Sequence, residues 1–418
     1  MSTQTGRVSP AGGTGGRPPG RKLPVKNPYT GEVDYEIIPP TPAELADICD
    51  SLRAAQVKWA AAPLEHRVEV MLRWADELDR AYGRLSAADF ADTGGCLIAL
   101  MSPRIVEPLM DTIRAVPELA EVFTFITGDA RTGQQLIQQI DMLCFTGSVP
   151  NGRKVAVACA ERLVPAYLEL GGKDPAIVTA TADLDAAATA VLRGAAFGTG
   201  QVCFSVERVY VHADAHDAFV AALVAKADAV RLNYPDINDG EIGPFGFDRQ
   251  ARIADEHLAD ALAKGAVLKT GGSSQVLGAE SGVSGGHFMR PTVLIEVSHD
   301  MLVMTEESFA PIMPVMRYRT EDQAVALAND THYGLSASVI AGTPEEAARI
   351  AERVNAGTIA LQDTFLILFK TRDVGTSSFA DSGLGGDRTG PGSILRFLRK
   401  KALMTQSAPL ARPAPPAR

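Results

Sequence analysis

From residue 122 onward the period of the apolar residues keeps switching, and no other feature narrows the fold as much. VFTFIT (122–127), MLCFT (142–146), AIVTA (176–180), VERVYVH (206–212), PTVLIEV (291–297) and PIMPVMRY (311–318) are short β-rich runs. Between and after them lie stretches with helical spacing: TGQQLIQQI, NGRKVAVACAERL, DAFVAALVAKADAV, residues 248–264, EDQAVALAND and TPEEAARIAERVN. Strand and helix in alternation demand helical crossovers and hence parallel sheets. At 418 residues the chain exceeds one ordinary core, so the expectation is an α/β protein of two lobes.

The first part of the chain reads differently. From Thr41, TPAELADICDSLRAAQVKWAAAP supplies an N-cap, a proline in the first turn and apolar residues at helical spacing. A second helix is expected over 64–83 and a third from Ala87. Residues 1–22 and 406–418 are rich in small residues and proline, too poor in apolar surface to offset the entropy of ordering, and read as disordered tails.

Charge and composition exclude several classes. Hydrophobic residues make up 46% and charged residues 22%, a globular balance. A net charge of -10 argues against a general nucleic-acid binder, which needs a basic surface to displace counterions. No apolar run is long enough to cross a bilayer, and the first twenty residues lack the hydrophobic centre of a secretory signal, so the reading is cytoplasmic, with no membrane partner. The five cysteines are odd in number and none has metal-ligand spacing, so neither a disulfide framework nor a metal site is expected.

Four stretches could carry chemistry. In GTGQVCFSVER (198–208) a thiol sits in a turn of small residues that lets backbone amides and a substrate approach closely, although a free cysteine is often only a small buried residue. In YLELGGKDP (167–175), Glu169 ends a β-rich run, where open α/β sheets form their clefts. FTGSVPNG (145–152) runs from a strand through a Gly/Ser turn into a helix start, whose free amides favour phosphate. EESFAP (306–311) precedes a strand and alone reads as a loop.

In this order, and with NPYTGEV (27–33), ANDTHYGLSASV (328–339) and SGLGGDRTG (382–390), these motifs resemble the NAD(P)-dependent aldehyde dehydrogenases over nearly the whole patterned chain. The 34 positions from Glu169 to Cys203 fit that family. The resemblance implies that Cys203 is the nucleophile and Glu169 the general base. The thiolate would add to an aldehyde to give a thiohemiacetal, hydride would leave for the nicotinamide, and a water activated by the carboxylate would hydrolyse the thioester. It further implies that Gly147, Ser148 and Gly152 meet the cofactor pyrophosphate, that Leu170 also belongs to the cofactor site, and that Glu307 and Phe309 hold the nicotinamide ribose and ring of NAD or NADP. The implied organisation is an incomplete nucleotide-binding domain (23–170), a catalytic domain (171–365), and a returning segment with an oligomerisation strand (366–405). The helix-rich run ILRFLRKKALM within that last segment would join subunits into a homodimer or higher homo-oligomer.

The pattern departs from the family in one large respect. A segment with a PWN and then a KP motif is absent, and the chain goes from DTIRAVPELAE straight into VFTFIT. The absent asparagine would be an oxyanion donor, and the absent strands would leave a sheet edge exposed. Gly386 stands where the family has an arginine, Gln362 where it has an asparagine and Ala310 where it has a glycine. Two other functions fit the same residues: cofactor-independent hydrolysis of esters or thioesters, and a non-catalytic family member acting as a structural or interaction subunit.

Overall fold

The computed structural model describes residues 21–93, 102–236, 239–278, 285–366, 373–386 and 388–406. Most of the two expected tails, 1–20 and 407–418, lies outside the described residues; Arg21 and Lys22, counted in the first tail, instead pair with Asp129 at 2.6 Å and Glu36 at 2.5 Å.

The chain opens with a hairpin of β1 (Leu23–Lys26) and β2 (Val33–Ile37). The NPYTGE turn closes it: Asn27 N donates to Glu32 O at 2.8 Å, Tyr29 N donates to the Asn27 side chain at 2.9 Å, and Gly31 takes φ +69°, where a side chain would be strained. The helix Pro42–Ala61 begins as expected, with Thr41 and Glu44 in a reciprocal capping box. The next two expected helices are one continuous helix, Leu64–Thr93. Nothing over 83–87 breaks it, because a single glycine at 83 costs only about 1 kcal/mol in a helix.

VFTFIT is not a strand. Residues 123–129 run without regular structure and pair with none of the described strands. Phe123 packs instead between Trp74 and Phe125, with ring centroids 5.7 and 5.2 Å away, and those two rings lie against a small helical core of Val70, Ile113, Val116 and Leu119.

After the helix Ala130–Ile137 the alternation sets in. β3 (Leu143–Thr146), the helix Val149–Glu161 and β4 (Ala166–Glu169) form a parallel unit. β5 (Asp174–Val178), β6 (Val206–His212), β7 (Val267–Thr270), β8 (Gln275–Leu277), β9 (Gly286–Phe288), β10 (Thr292–Ile295), β11 (Ile312–Tyr318), β12 (Ser336–Ile340), β13 (Thr358–Leu361) and β14 (Gly383–Leu384) follow.

They make two sheets that matter to the site. The larger has seven strands in the order β13-β12-β5-β6-β11-β10-β7, parallel except for β7. Helices cover both faces: Leu184–Ala196 and His216–Ala229 close one core, Asp248–Ala263, Glu321–Asn329 and Pro344–Ala351 the other. The smaller has three strands, β14-β4-β3, with β14 antiparallel to β4 and β3 at its outer edge. This is the exposed edge that the missing segment implies; Cys144 on it faces solvent. The expected helix over ILRFLRKKALM is only a 3₁₀ turn, Ser393–Phe397, followed by irregular chain to Gln406. Leu395, Phe397 and Leu398 are exposed, and a short segment without tertiary packing of its apolar face does not sustain a helix. Among the described residues no helix is long and apolar enough to cross a membrane.

Candidate active site

The two sheets are joined by Leu170–Lys173, four buried residues between β4 and β5, and the candidate residues gather around this crossing. Glu169 is the last residue of β4, and Gly383 of β14 lies opposite it in register. Burial pushes its carboxyl above the ordinary range, opposed by the Arg388 guanidinium and the Ser378 hydroxyl. Arg388 Nε lies 2.7 Å from Glu169 Oε2, to which Ser378 Oγ also donates at 3.0 Å.

Cys203 comes from the larger sheet's side. The helix Leu184–Ala196 ends, and Gly198, Thr199 and Gly200 all take left-handed φ, at +59°, +60° and +69°, which turns the chain sharply back toward β6. Gly200 is required there twice over, because a Cβ would also overlap the backbone of Ala310 and Pro311. Polar links pin the loop: Thr199 Oγ1 donates to Gly243 O at 2.9 Å, Gly246 N to Gln201 Oε1 at 2.9 Å, and Ser205 Oγ to Gly194 O at 3.2 Å. Burial pushes the Cys203 thiol up, while the charge of Arg388 pulls the other way. The guanidinium that pairs with Glu169 thus also acts on the Cys203 thiol.

Glu307 folds over the glycines of LELGG. Gly172 N donates to its Oε1 at 3.3 Å, and a Cβ on Gly171 would occupy the place of its carboxylate. Burial first, then the charge of Glu207, raises Glu307 to about 8, so it carries a proton at neutral pH. Phe309 follows at φ +51°. Gly147, Ser148, Gly152 and Leu170 lie on the other side of Glu169, around the start of the helix Val149–Glu161. Gly147 N donates to Glu169 O at 3.0 Å, Ser148 is an exposed N-cap whose side chain caps nothing, and a Cβ on Gly152 would collide with Leu170.

Two residues escape sequence reasoning. Glu207, inside the buried run VERVYVH, pairs with Lys173 at 2.6 Å and accepts from Ser308 N at 2.7 Å and Phe309 N at 2.8 Å, so it fixes the EESFAP loop. A carboxylate in an otherwise apolar central strand was the available signal. Arg388 gave none: it sits two positions beyond Gly386, and only the pairing of β14 with β4 carries it to Glu169. Among the described residues no group of His, Cys, Asp or Glu could hold a metal ion.

The model of the aldehyde dehydrogenase family matches residues 17–121 and 102–403. The chain belongs to the aldehyde dehydrogenase family. The two matches of this family member overlap near DTIRAVPELAE, where the sequence lacks the PWN and KP segment. A Mycolicibacterium smegmatis protein named "Putative succinate-semialdehyde dehydrogenase [NADP(+)]" is 33% identical over 286 residues, 68% of this chain and 54% of that protein. The chain therefore spans about half the length of that curated relative. A solved structure from Anabaena variabilis, "Putative Aldehyde Dehydrogenase PutA", is 36% identical with a TM-score of 0.87, covering 94% of this chain and 99% of that one. A betaine aldehyde dehydrogenase from Staphylococcus aureus in complex with NAD+ has the same fold, with a TM-score of 0.81 at 22% identity and 93% coverage of each chain.

Proposed function

We propose that this chain oxidises an aldehyde to a carboxylic acid with NAD or NADP as hydride acceptor, Cys203 acting as nucleophile and Glu169 as general base. The observation that carries the reading is the Glu169 carboxylate held on the Arg388 guanidinium at 2.7 Å, with the charge of that guanidinium acting also on the Cys203 thiol. The Cys203 thiolate adds to the carbonyl carbon, and Glu169 later deprotonates the water that releases the acid. Its raised carboxyl is a stronger base than an ordinary one. Because that base must be ionised, the rate falls as pH drops through its raised value.

The residues present fit a dinucleotide at its pyrophosphate end. The helix start at Ser148 leaves its first amides open, and Gly152 against Leu170 keeps that helix close to β4. When bound, the nicotinamide supplies the hydride acceptor; Glu307 and Phe309 would orient its ribose and ring. The chain's division into 23–170, 171–365 and 366–405 accompanies this reading, supported by the split between the two sheets and the return of β14. So does a cytoplasmic homodimer or higher homo-oligomer joined through the exposed apolar residues after Ser393.

Titration of the purified chain with NAD and NADP by calorimetry, followed by aldehyde turnover at 340 nm, tests the reading. Binding of one dinucleotide and turnover that vanishes in Cys203→Ala are expected. Absence of binding to both sinks it, and ester turnover indifferent to dinucleotide selects a hydrolase.

A further inference from the structure

The proposed reaction gives Arg388 no role, yet this side chain pairs with Glu169 and its charge acts on the Cys203 thiol. Its chain path is built for the purpose. β14 pairs with β4, Gly385 and Gly386 turn the backbone at φ +109° and +80°, and Arg388 N donates to Thr376 O at 2.6 Å. The side chain is only 19% exposed, as is that of Glu169, and their 2.7 Å contact uses Nε. The charge of the same guanidinium also acts on the Cys203 thiol, against the effect of burial. Its Nη1 is buried and has no hydrogen-bond partner among the described residues. A buried cationic donor left unpaired costs free energy unless some group comes to meet it.

Addition of Cys203 to a carbonyl creates such a group. The thiol proton is lost to bulk water, the sulfur–carbon bond forms, and the carbonyl π pair moves onto oxygen. That oxygen is separated from sulfur by one carbon, so a guanidinium whose charge acts on the thiol, and whose Nη1 is unpartnered, can meet it. We propose that Arg388 is a catalytic residue, its guanidinium braced by Glu169 and donating to the oxyanion that forms when Cys203 attacks. It would serve where the absent segment would have provided an asparagine. The assignment rests on Cys203 being the nucleophile, and the test separates the two.

The full-length chain is acylated with p-nitrophenyl acetate and, separately, alkylated with iodoacetamide. In acylation the carbonyl pair returns from oxygen, and the C–O bond to p-nitrophenolate breaks with its pair. Alkylation at a saturated carbon forms no oxyanion. Arg388→Gln is expected to slow the p-nitrophenolate burst about 100-fold and alkylation less than about tenfold, the residue of its effect on the thiol. Arg388→Lys should fall between Arg388→Gln and the native chain in the burst. Equal slowing of the two reactions, or none, overturns the oxyanion role. Should Arg388→Gln melt early, the acylation-to-alkylation ratio of Arg388→Lys decides by the same criterion. A burst that persists in Cys203→Ala overturns the nucleophile itself, and with it the proposal; a Cys203-dependent burst untouched at Arg388 overturns the proposal alone.

Discussion

In the larger sheet β5 and β12 are buried at every position and β6 at six of seven, whereas β3 in the smaller sheet alternates between half-buried and exposed and β4 buries one residue of four. The first sheet has helices on both faces and a core on each side. The second ends in an open edge and meets the rest through hydrogen bonds such as Phe379 N to Gly334 O at 2.9 Å and Gly334 N to Ser382 Oγ at 2.9 Å. The proposed nucleophile therefore hangs from a rigid frame, and the proposed base and pyrophosphate turn from a thinner one. Substitutions that are severe in the first should be mild in the second.

The largest contrast is expected for a carboxylate introduced into each sheet. Val209→Asp, at a position with no exposure in β6, should cost about 4 kcal/mol or more and leave little folded protein. Cys144→Asp on β3 should cost within about 1 kcal/mol. Urea unfolding of the two variants measures this; equal losses would show that the small sheet is as tightly built as the large one.

Next come the glycines. Gly200→Ala must hold φ +69° and push against the Ala310 backbone, which cannot rotate away, for about 3 kcal/mol. Gly152→Ala meets only the end of the Leu170 side chain and gains helix propensity, so a loss of about 1 kcal/mol is expected. Comparable thermal shifts in the two would break the comparison.

The smallest effect is a slope. Asp174, buried at the start of β5 beside Ser336, is raised to about 8. The folded chain keeps its proton where the unfolded chain has lost it, so the stability this contributes is present at acid pH and declines as pH rises from about 4 to about 8. Asp174→Asn should flatten the dependence of Tm on pH across that window by a few degrees, leaving the part due to Glu307. An unchanged slope would place the titration elsewhere.

How much was legible follows the same division. The runs that became β5, β6, β11 and β12 declare themselves because a strand buried on both faces must be continuously apolar. VFTFIT has the same composition and is not a strand, because strand formation requires a paired neighbour and it lies against none of the described strands. The run to Thr93 shows no break, and only the structure distinguishes one long helix from two.

From the sequence alone came the α/β alternation, the family, and the candidate pair Cys203 and Glu169, all of which rest on local residue type and spacing. Tertiary structure decided that Glu169 pairs with Arg388, that Glu207 holds the EESFAP loop, and that Glu307 is buried enough to stay protonated. Those depend on which strands pair and what becomes dry, and both are set by contacts between residues far apart in the chain.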